Sequence, residues 1–153
     1  MPNWCYNRLT IDTTNESGKK LAKAFTLKNP FQHLMPCPEE LLNTPASFDT
    51  TKQQLENKEK YGYADWYTWR IAHWGTKWDA RVEDFDDSDP KQTYVYFETA
   101  WSPPVEFMKW FVSQYPDAYF RNEYDEEGMM FEGFTENSKK DGFIDECFDT
   151  EEK

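Results

Sequence analysis

Apolar positions recur along this chain with two different periods, and the change of period marks out its elements. Over Asn3–Asp12 the bulky residues Trp4, Tyr6, Leu9 and Ile11 have the character of a strand. Thr13–Gly18 reads as a turn. Across about Gly18–Leu27, Leu21, Ala24 and Phe25 share a face at three- and four-residue spacing, which predicts a helix ended by Asn29-Pro30. Phe31–Met35 reads as a short extended piece broken by Pro36 and Pro38, after which Glu39–Leu42 starts one helical turn. The polar stretch Asn43–Lys60 reads as a surface excursion with some helix in it. Trp66, Trp69, Arg70 and His73 then predict a helix over about Ala64–Trp74, capped by Gly75.

The second half alternates with period two. Ala80–Phe85 and Thr93–Trp101 read as a hairpin around the acidic loop Asp86-Asp87-Ser88-Asp89-Pro90. In its second strand Val95, Phe97, Thr99 and Trp101 point one way, with Tyr94, Tyr96 and Glu98 opposite. Ser102-Pro103-Pro104 starts a helix over Val105–Gln114, with Ser102 as its candidate cap and Phe107, Trp110 and Phe111 on one stripe. Ala118–Asp125 and Met129–Thr135 form a second hairpin across Glu126-Glu127-Gly128, and Phe143–Phe148 adds a last short strand. The resulting order is that of an α+β, ferredoxin-like (split β-α-β) domain. Its antiparallel sheet carries helices on one face, a helical insert of about 28–79 separates the first helix from the second strand, and one or two strands follow at the C-terminal end. The whole of 1–153 is expected to form one domain, with an acidic tail over about 149–153.

Composition sharpens this picture. At 153 residues the chain can bury a core without disulfides. Mean hydropathy is −0.97, yet aromatics make up 18% of residues, and disordered chains are poor in rings, so a folded chain is expected. No apolar run is long enough to span a bilayer, and the start lacks the pattern of a signal peptide, so a cytoplasmic protein without a membrane partner is expected. Three scattered cysteines, Cys5, Cys37 and Cys147, argue for reduced thiols.

The net charge of −12 is unevenly spread: residues 1–82 carry a net +2 and residues 83–153 a net −14. Duplex nucleic acid is therefore not an expected partner, because binding it relies on basic groups that displace counterions from phosphate. The acidic half favours a basic partner, against the plainer reading of a solubilising surface.

Candidate chemistry is sparse. His33 and Cys37 sit four apart, but the paired short spacings of zinc sites are missing. The run Glu83–Asp89 lacks the glycine and distal glutamate of a calcium loop, so a charged hairpin tip is expected. Cys5 or Cys37 with His33 or His73 can be drawn as a nucleophile–base pairing, but two histidines give little to choose from, and no glycine-rich phosphate loop is present. No catalytic residue, metal or cofactor is expected, and the chain reads as a non-enzyme.

Four segments are distinctive: Met1-Pro2-Asn3-Trp4-Cys5-Tyr6-Asn7, Leu34-Met35-Pro36-Cys37-Pro38-Glu39-Glu40-Leu41, Trp74-Gly75-Thr76-Lys77-Trp78-Asp79-Ala80 and Phe97-Glu98-Thr99-Ala100-Trp101-Ser102-Pro103-Pro104. In this order they resemble the Api-ninety-two-like family of small phage and plasmid proteins over roughly residues 1–136; the tail after about Asn137 is not placed by the resemblance. It implies a ferredoxin-like domain, in shape only, and a mobile-element origin. It implies no reaction.

The expected function is a non-enzymatic accessory protein that binds a basic surface of a host protein through Glu83, Asp84, Asp86, Asp87, Asp89, Glu123, Asp125, Glu126, Glu127 and Glu132. A sharper version is imitation of a DNA backbone in a counter-defence role, extended by carboxylates over 132–136 and 145–152. Trp74, Trp78, Tyr94 and Tyr96 are candidate contact aromatics, although packing roles suit the two tryptophans better. The alternative is a single-stranded nucleic-acid module that stacks bases on an open sheet bearing Tyr94, Tyr96, Tyr119 and Tyr124. The acids on the same strands oppose it. Oligomeric state is left open.

Overall fold

A computed structural model describes residues 3–47 and 50–150. Six strands form one antiparallel sheet: β1 (Trp4–Asp12), β2 (Arg81–Asp89), β3 (Gln92–Ala100), β4 (Phe120–Glu126), β5 (Phe131–Ser138) and β6 (Gly142–Asp149). Their order across the sheet is β2-β3-β1-β4-β5-β6. With α1 (Glu16–Ala24) after β1 and α6 (Val105–Gln114) after β3, the first four strands have the ferredoxin-like split β-α-β arrangement. β5 and β6 extend that sheet beyond β4. Between α1 and β2 lie α2 (Pro30–Leu34), α3 (Glu39–Leu42), α4 (Lys52–Tyr61) and α5 (Trp66–His73), the helical insert.

Local chemistry accounts for most boundaries. Asn15 caps α1 by accepting a hydrogen bond from the Gly18 amide, and Thr51 and Gln54 form a reciprocal capping box on α4. Gly62 and Gly75 close α4 and α5 with φ of 85°, a backbone conformation glycine adopts without steric cost.

The core lies between the sheet and the helices. Alternate residues Leu9, Ile11, Val95, Phe97 and Phe120 face Leu21 and Phe25 of α1, Phe31 of α2, Leu41 of α3, Trp69 of α5 and Phe107, Met108 and Phe111 of α6. Phe31 sits at the centre of this ring cluster, with centroids 4.5 Å from Phe107 and 5.7 Å from Trp74.

Three local expectations are corrected. Phe31–Met35 is not extended: Pro30 occupies the first turn of α2, where its missing amide hydrogen costs nothing, and both carboxylate oxygens of Asp79 accept the Phe31 and Gln32 amides. The acidic loop is largely strand. β2 runs on to Asp89 through register shifts after Val82 and after Asp86, and the chain turns only at Pro90-Lys91. Ser102 does not cap α6; its hydroxyl donates to the Gly75 carbonyl, and Pro104 occupies the cap position.

Candidate functional site

Strand alternation gives the sheet a helix-facing side and an open side. On β1 the residues Cys5, Asn7, Leu9 and Ile11 are buried under helices, so Trp4, Tyr6, Arg8 and Thr10 lie on the open side. Registers carry that side across the sheet: Arg8 lies opposite Tyr96 on β3 and Glu123 on β4, and Tyr6 opposite Glu98 and Asp125. The same registers bring Arg81, Asp84 and Asp86 of β2, Tyr94 of β3 and Arg121 of β4 to this side. Glu132, Phe134 and Glu136 of β5, and Ile144, Glu146 and Phe148 of β6, complete it.

Acids dominate this face. Its strands carry Asp84, Asp86, Glu98, Glu123, Asp125, Glu132, Glu136 and Glu146 against Arg8, Arg81 and Arg121. Each arginine is already engaged. Arg8 reaches Asp125 at 2.9 Å, Arg121 reaches Glu123 at 3.0 Å and Glu136 at 3.3 Å, and Arg81 reaches Glu83 at 3.3 Å. Asp84, Asp86, Glu132 and Glu146 form no ion pair among the described residues. Asp86 accepts hydrogen bonds from the Ser88 hydroxyl and amide, which hold its carboxyl below the usual carboxylate range and keep it ionised.

Rings are interleaved with the charges. Tyr94 is exposed and Tyr96 half-buried, and burial together with Glu98 pushes the Tyr96 phenol up. Arg81 lies over the Trp4 ring and Arg121 over Phe134, with guanidinium-to-centroid distances of 5.4 and 4.0 Å. Two depressions flank Arg8. The larger, about 740 Å3, lies over β1, β4 and β5 between Thr10, Arg121, Glu123 and Glu136; the smaller, about 260 Å3, is lined by Asp125, Glu127 and Glu132.

The expected site residues divide by side. Asp84, Asp86, Glu123, Asp125 and Glu132 meet on the open face with Tyr94 and Tyr96. Glu83 and Asp87 project at the two register shifts of β2, Asp89 ends that strand, and Glu127 lies in the turn after β4.

Two expected contacts are corrected. Glu126 is 1% exposed, on the helix-facing side, where its carboxylate accepts the Gly128 amide at 2.5 Å and the Met129 amide at 3.1 Å. Its role is to fold the β4–β5 turn. Trp74 is fully buried, its indole donating to the Met35 carbonyl at 3.0 Å. Tyr124, expected on the open strands, is also buried and helix-facing, and Tyr119 precedes β4. Trp78 is exposed at the rim, 6.0 Å from Trp4 with Lys77 over its ring.

Residue pattern alone missed Trp4, Tyr6, Arg8 and Phe134 as neighbours of the acidic set. The signal lies in the even positions of β1 and β5, but it needs the pairing of β1 with β3 and β4 and of β4 with β5. The expected carboxylates at 151–152 lie outside the described residues.

The four distinctive segments converge at one corner. Trp101 donates its amide to the Asn3 carbonyl, the Thr76 hydroxyl donates to the Ala100 carbonyl, Ser102 reaches Gly75, and Trp74 reaches Met35. They are joints between the sheet, the insert and α6. Among the described residues no group of three or more His, Cys, Asp or Glu could hold a metal ion, and no helix is long and apolar enough to cross a membrane.

A comparison with curated proteins finds no match. Among solved structures, the crystal structure of protein Api92 from Yersinia pseudotuberculosis superposes with a TM-score of 0.53 at 11% identity, covering 97% of this chain and 98% of that one. This likeness shows a shared fold. A family profile described as the ferredoxin-like domain in Api92-like protein matches residues 74–153, a stretch that includes the tail left unplaced by the sequence motifs. With half the sequence matched and the strand order in agreement, the chain belongs to the Api92-like family.

Proposed function

We propose that this chain is a non-enzymatic accessory protein of phage or plasmid origin, acting in the cytoplasm of a bacterial host. It binds a lysine- and arginine-rich surface of a host protein across the open side of its sheet. The observation that carries this reading is the surplus of carboxylates there, with every arginine of the face already paired. Rings set among the acids support the same reading, because Arg81 over Trp4 and Arg121 over Phe134 display the contact an incoming cation would make. Carboxylates interrupted by rings and guanidinium groups suit a basic polypeptide better than imitation of a continuous phosphate backbone. Stacking of single-stranded bases on Tyr94 and Tyr96 would bring phosphates against Asp84, Asp86 and Glu123, so it ranks below protein binding.

Affinity capture from a nuclease-treated bacterial lysate, read by mass spectrometry, tests the proposal. Wild type should retain a basic host protein in a salt-sensitive manner, and Asp84→Lys/Asp87→Lys/Glu132→Lys should release it. Glu39→Lys/Glu56→Lys/Glu59→Lys makes the same change of charge on exposed insert helices and should have no effect. Equal loss with both triple variants would reduce the interaction to net charge and remove the face from the proposal.

A further inference from the structure

The two edges of the sheet are built differently. β2, at one end, is broken by register shifts after Val82 and after Asp86, and such bulges twist an edge away from further pairing. β6, at the other end, pairs with β5 residue for residue from Gly142 to Asp149 without a shift. It contains no proline and no lysine, two residues that commonly guard an edge, and six of its eight residues are exposed. β6 ends the strand order, and no described strand pairs with the outer side of residues 142–148. A regular edge of this kind offers its outward backbone groups to an incoming strand.

Its side chains specify what that strand must be. On the open side β6 presents Ile144, Glu146 and Phe148, an acid between two apolar residues, with Phe148 52% exposed. Asp145 and Cys147 alternate with them on the other side. A second copy of this chain fits poorly. Antiparallel pairing of two β6 strands about their centre sets Asp145 against its own copy or Glu146 against its own copy, and like charges directly opposite destabilise a pair. A basic segment reverses that sign.

We propose that the outer edge of β6 over residues 142–148 takes up an extended segment of a partner protein as a seventh strand. On the open side this segment carries a lysine or arginine flanked at two-residue spacing by apolar side chains. The inference rests on the acidic face proposed above and adds where and how the partner is held: backbone hydrogen bonds to β6 anchor it, and its cations lie against Glu146 on the open side and Asp145 on the other.

The probe is a fluorescein-labelled peptide with the core Phe-Thr-Lys-Lys-Phe, which sets lysines against Glu146 and Asp145. Two analogues carry N-methyl groups on alternate residues, one on the odd and one on the even positions. Only alternate amides of an added strand point at its neighbour, so one analogue should bind at least tenfold more weakly and the other like the parent. Saturation should slow hydrogen exchange of β6 amides at least tenfold, and Glu146→Lys should weaken binding by a similar factor. If both analogues bind like the parent and β6 amides exchange unchanged, the edge inference is overturned while the acidic-face reading stands. Absence of binding by all three peptides also overturns it, leaving the face to be judged by lysate capture. Concentration-dependent protection of β6 without peptide would identify a second copy as the occupant and overturn it too.

Discussion

Glu126 and Glu132 belong to neighbouring strands and have opposite fates. The first lies on the helix-facing side, almost wholly buried, and accepts the amides of the turn that follows it; the second is exposed on the open side with no ion-pair partner among the described residues. One residue type thus serves as structure or as surface according to which side of the pleat it occupies. The same split separates Phe97 from Tyr96 on β3 and Tyr124 from Glu123 on β4. An acidic count says little about function until the strands are sorted by side.

Breaking the helix-facing side should cost the most. Phe31→Ala removes the ring that touches Phe25, Trp74, Phe97 and Phe107, and truncating a buried phenylalanine costs about 3–5 kcal/mol. Urea titration should place its midpoint far below wild type. Tyr94→Ala, on the exposed side, should change stability by no more than about 0.5 kcal/mol while weakening capture of a basic partner. A large stability loss from Tyr94→Ala would show that the open side is part of the core's support.

Gly133→Ala should come next. A Cβ there would stand 2.1 Å from the Glu146 carbonyl oxygen and 2.8 Å from the Tyr124 hydroxyl, because the Tyr124 ring lies across the space this glycine leaves. That hydroxyl donates to Asp145 at 3.0 Å, joining β4 to β6 over β5. Overpacking of this kind costs about 1–3 kcal/mol, and hydrogen exchange should show the loss concentrated in β6. Uniform loss across the sheet would mean that β6 unfolds only with the whole. Glu126→Ala orphans the amides of Gly128 and Met129 and should cost about 1–3 kcal/mol, whereas Glu132→Ala should be close to neutral.

Much of this architecture is legible in residue pattern. Alternation in Gln92–Ala100 separates Val95 and Phe97 from Tyr94 and Tyr96, and the spacing of Phe107 and Phe111 marks the buried stripe of α6. What pattern cannot supply is contact at a distance. Phe31–Met35 becomes helical because Asp79, nearly fifty residues away, accepts its first amides. The strand through Asp86–Asp89 exists because β3 offers partners across two register shifts, a tertiary effect that outweighs the turn preference of aspartate. At the candidate site, five expected carboxylates do meet on the open face. Pattern does not place Glu126, because a carboxylate two residues before a glycine looks the same whether it caps the turn or decorates it. The buried Trp74 takes the packing role that an indole beside a helix-ending glycine favours, and its candidacy as a contact falls away.

The smallest effect concerns three thiols and shows where the helix layer ends. Cys5 on β1 and Cys147 on β6 both point to the helix-facing side, yet Cys5 is buried and Cys147 exposed. Burial pushes the Cys5 thiol up to about 12, and the buried Cys37 is pushed up to about 11 for the same reason. Because the thiolate is the reactive form, at pH 8 only about one Cys5 in ten thousand and one Cys37 in a thousand is available to react. An aromatic disulfide reagent should therefore titrate one cysteine rapidly in the folded protein and all three in urea, and the fast phase should vanish in Cys147→Ser. Raising the pH to 9 should increase the small thiolate fractions of Cys5 and Cys37 tenfold and still leave them minor, so the count of one should persist. A second fast thiol would mean that the cover over β1 opens as readily as the uncovered end at β6. A strand seated on β6 should slow the single fast thiol, since its neighbours on the helix-facing side would then be shared with the partner.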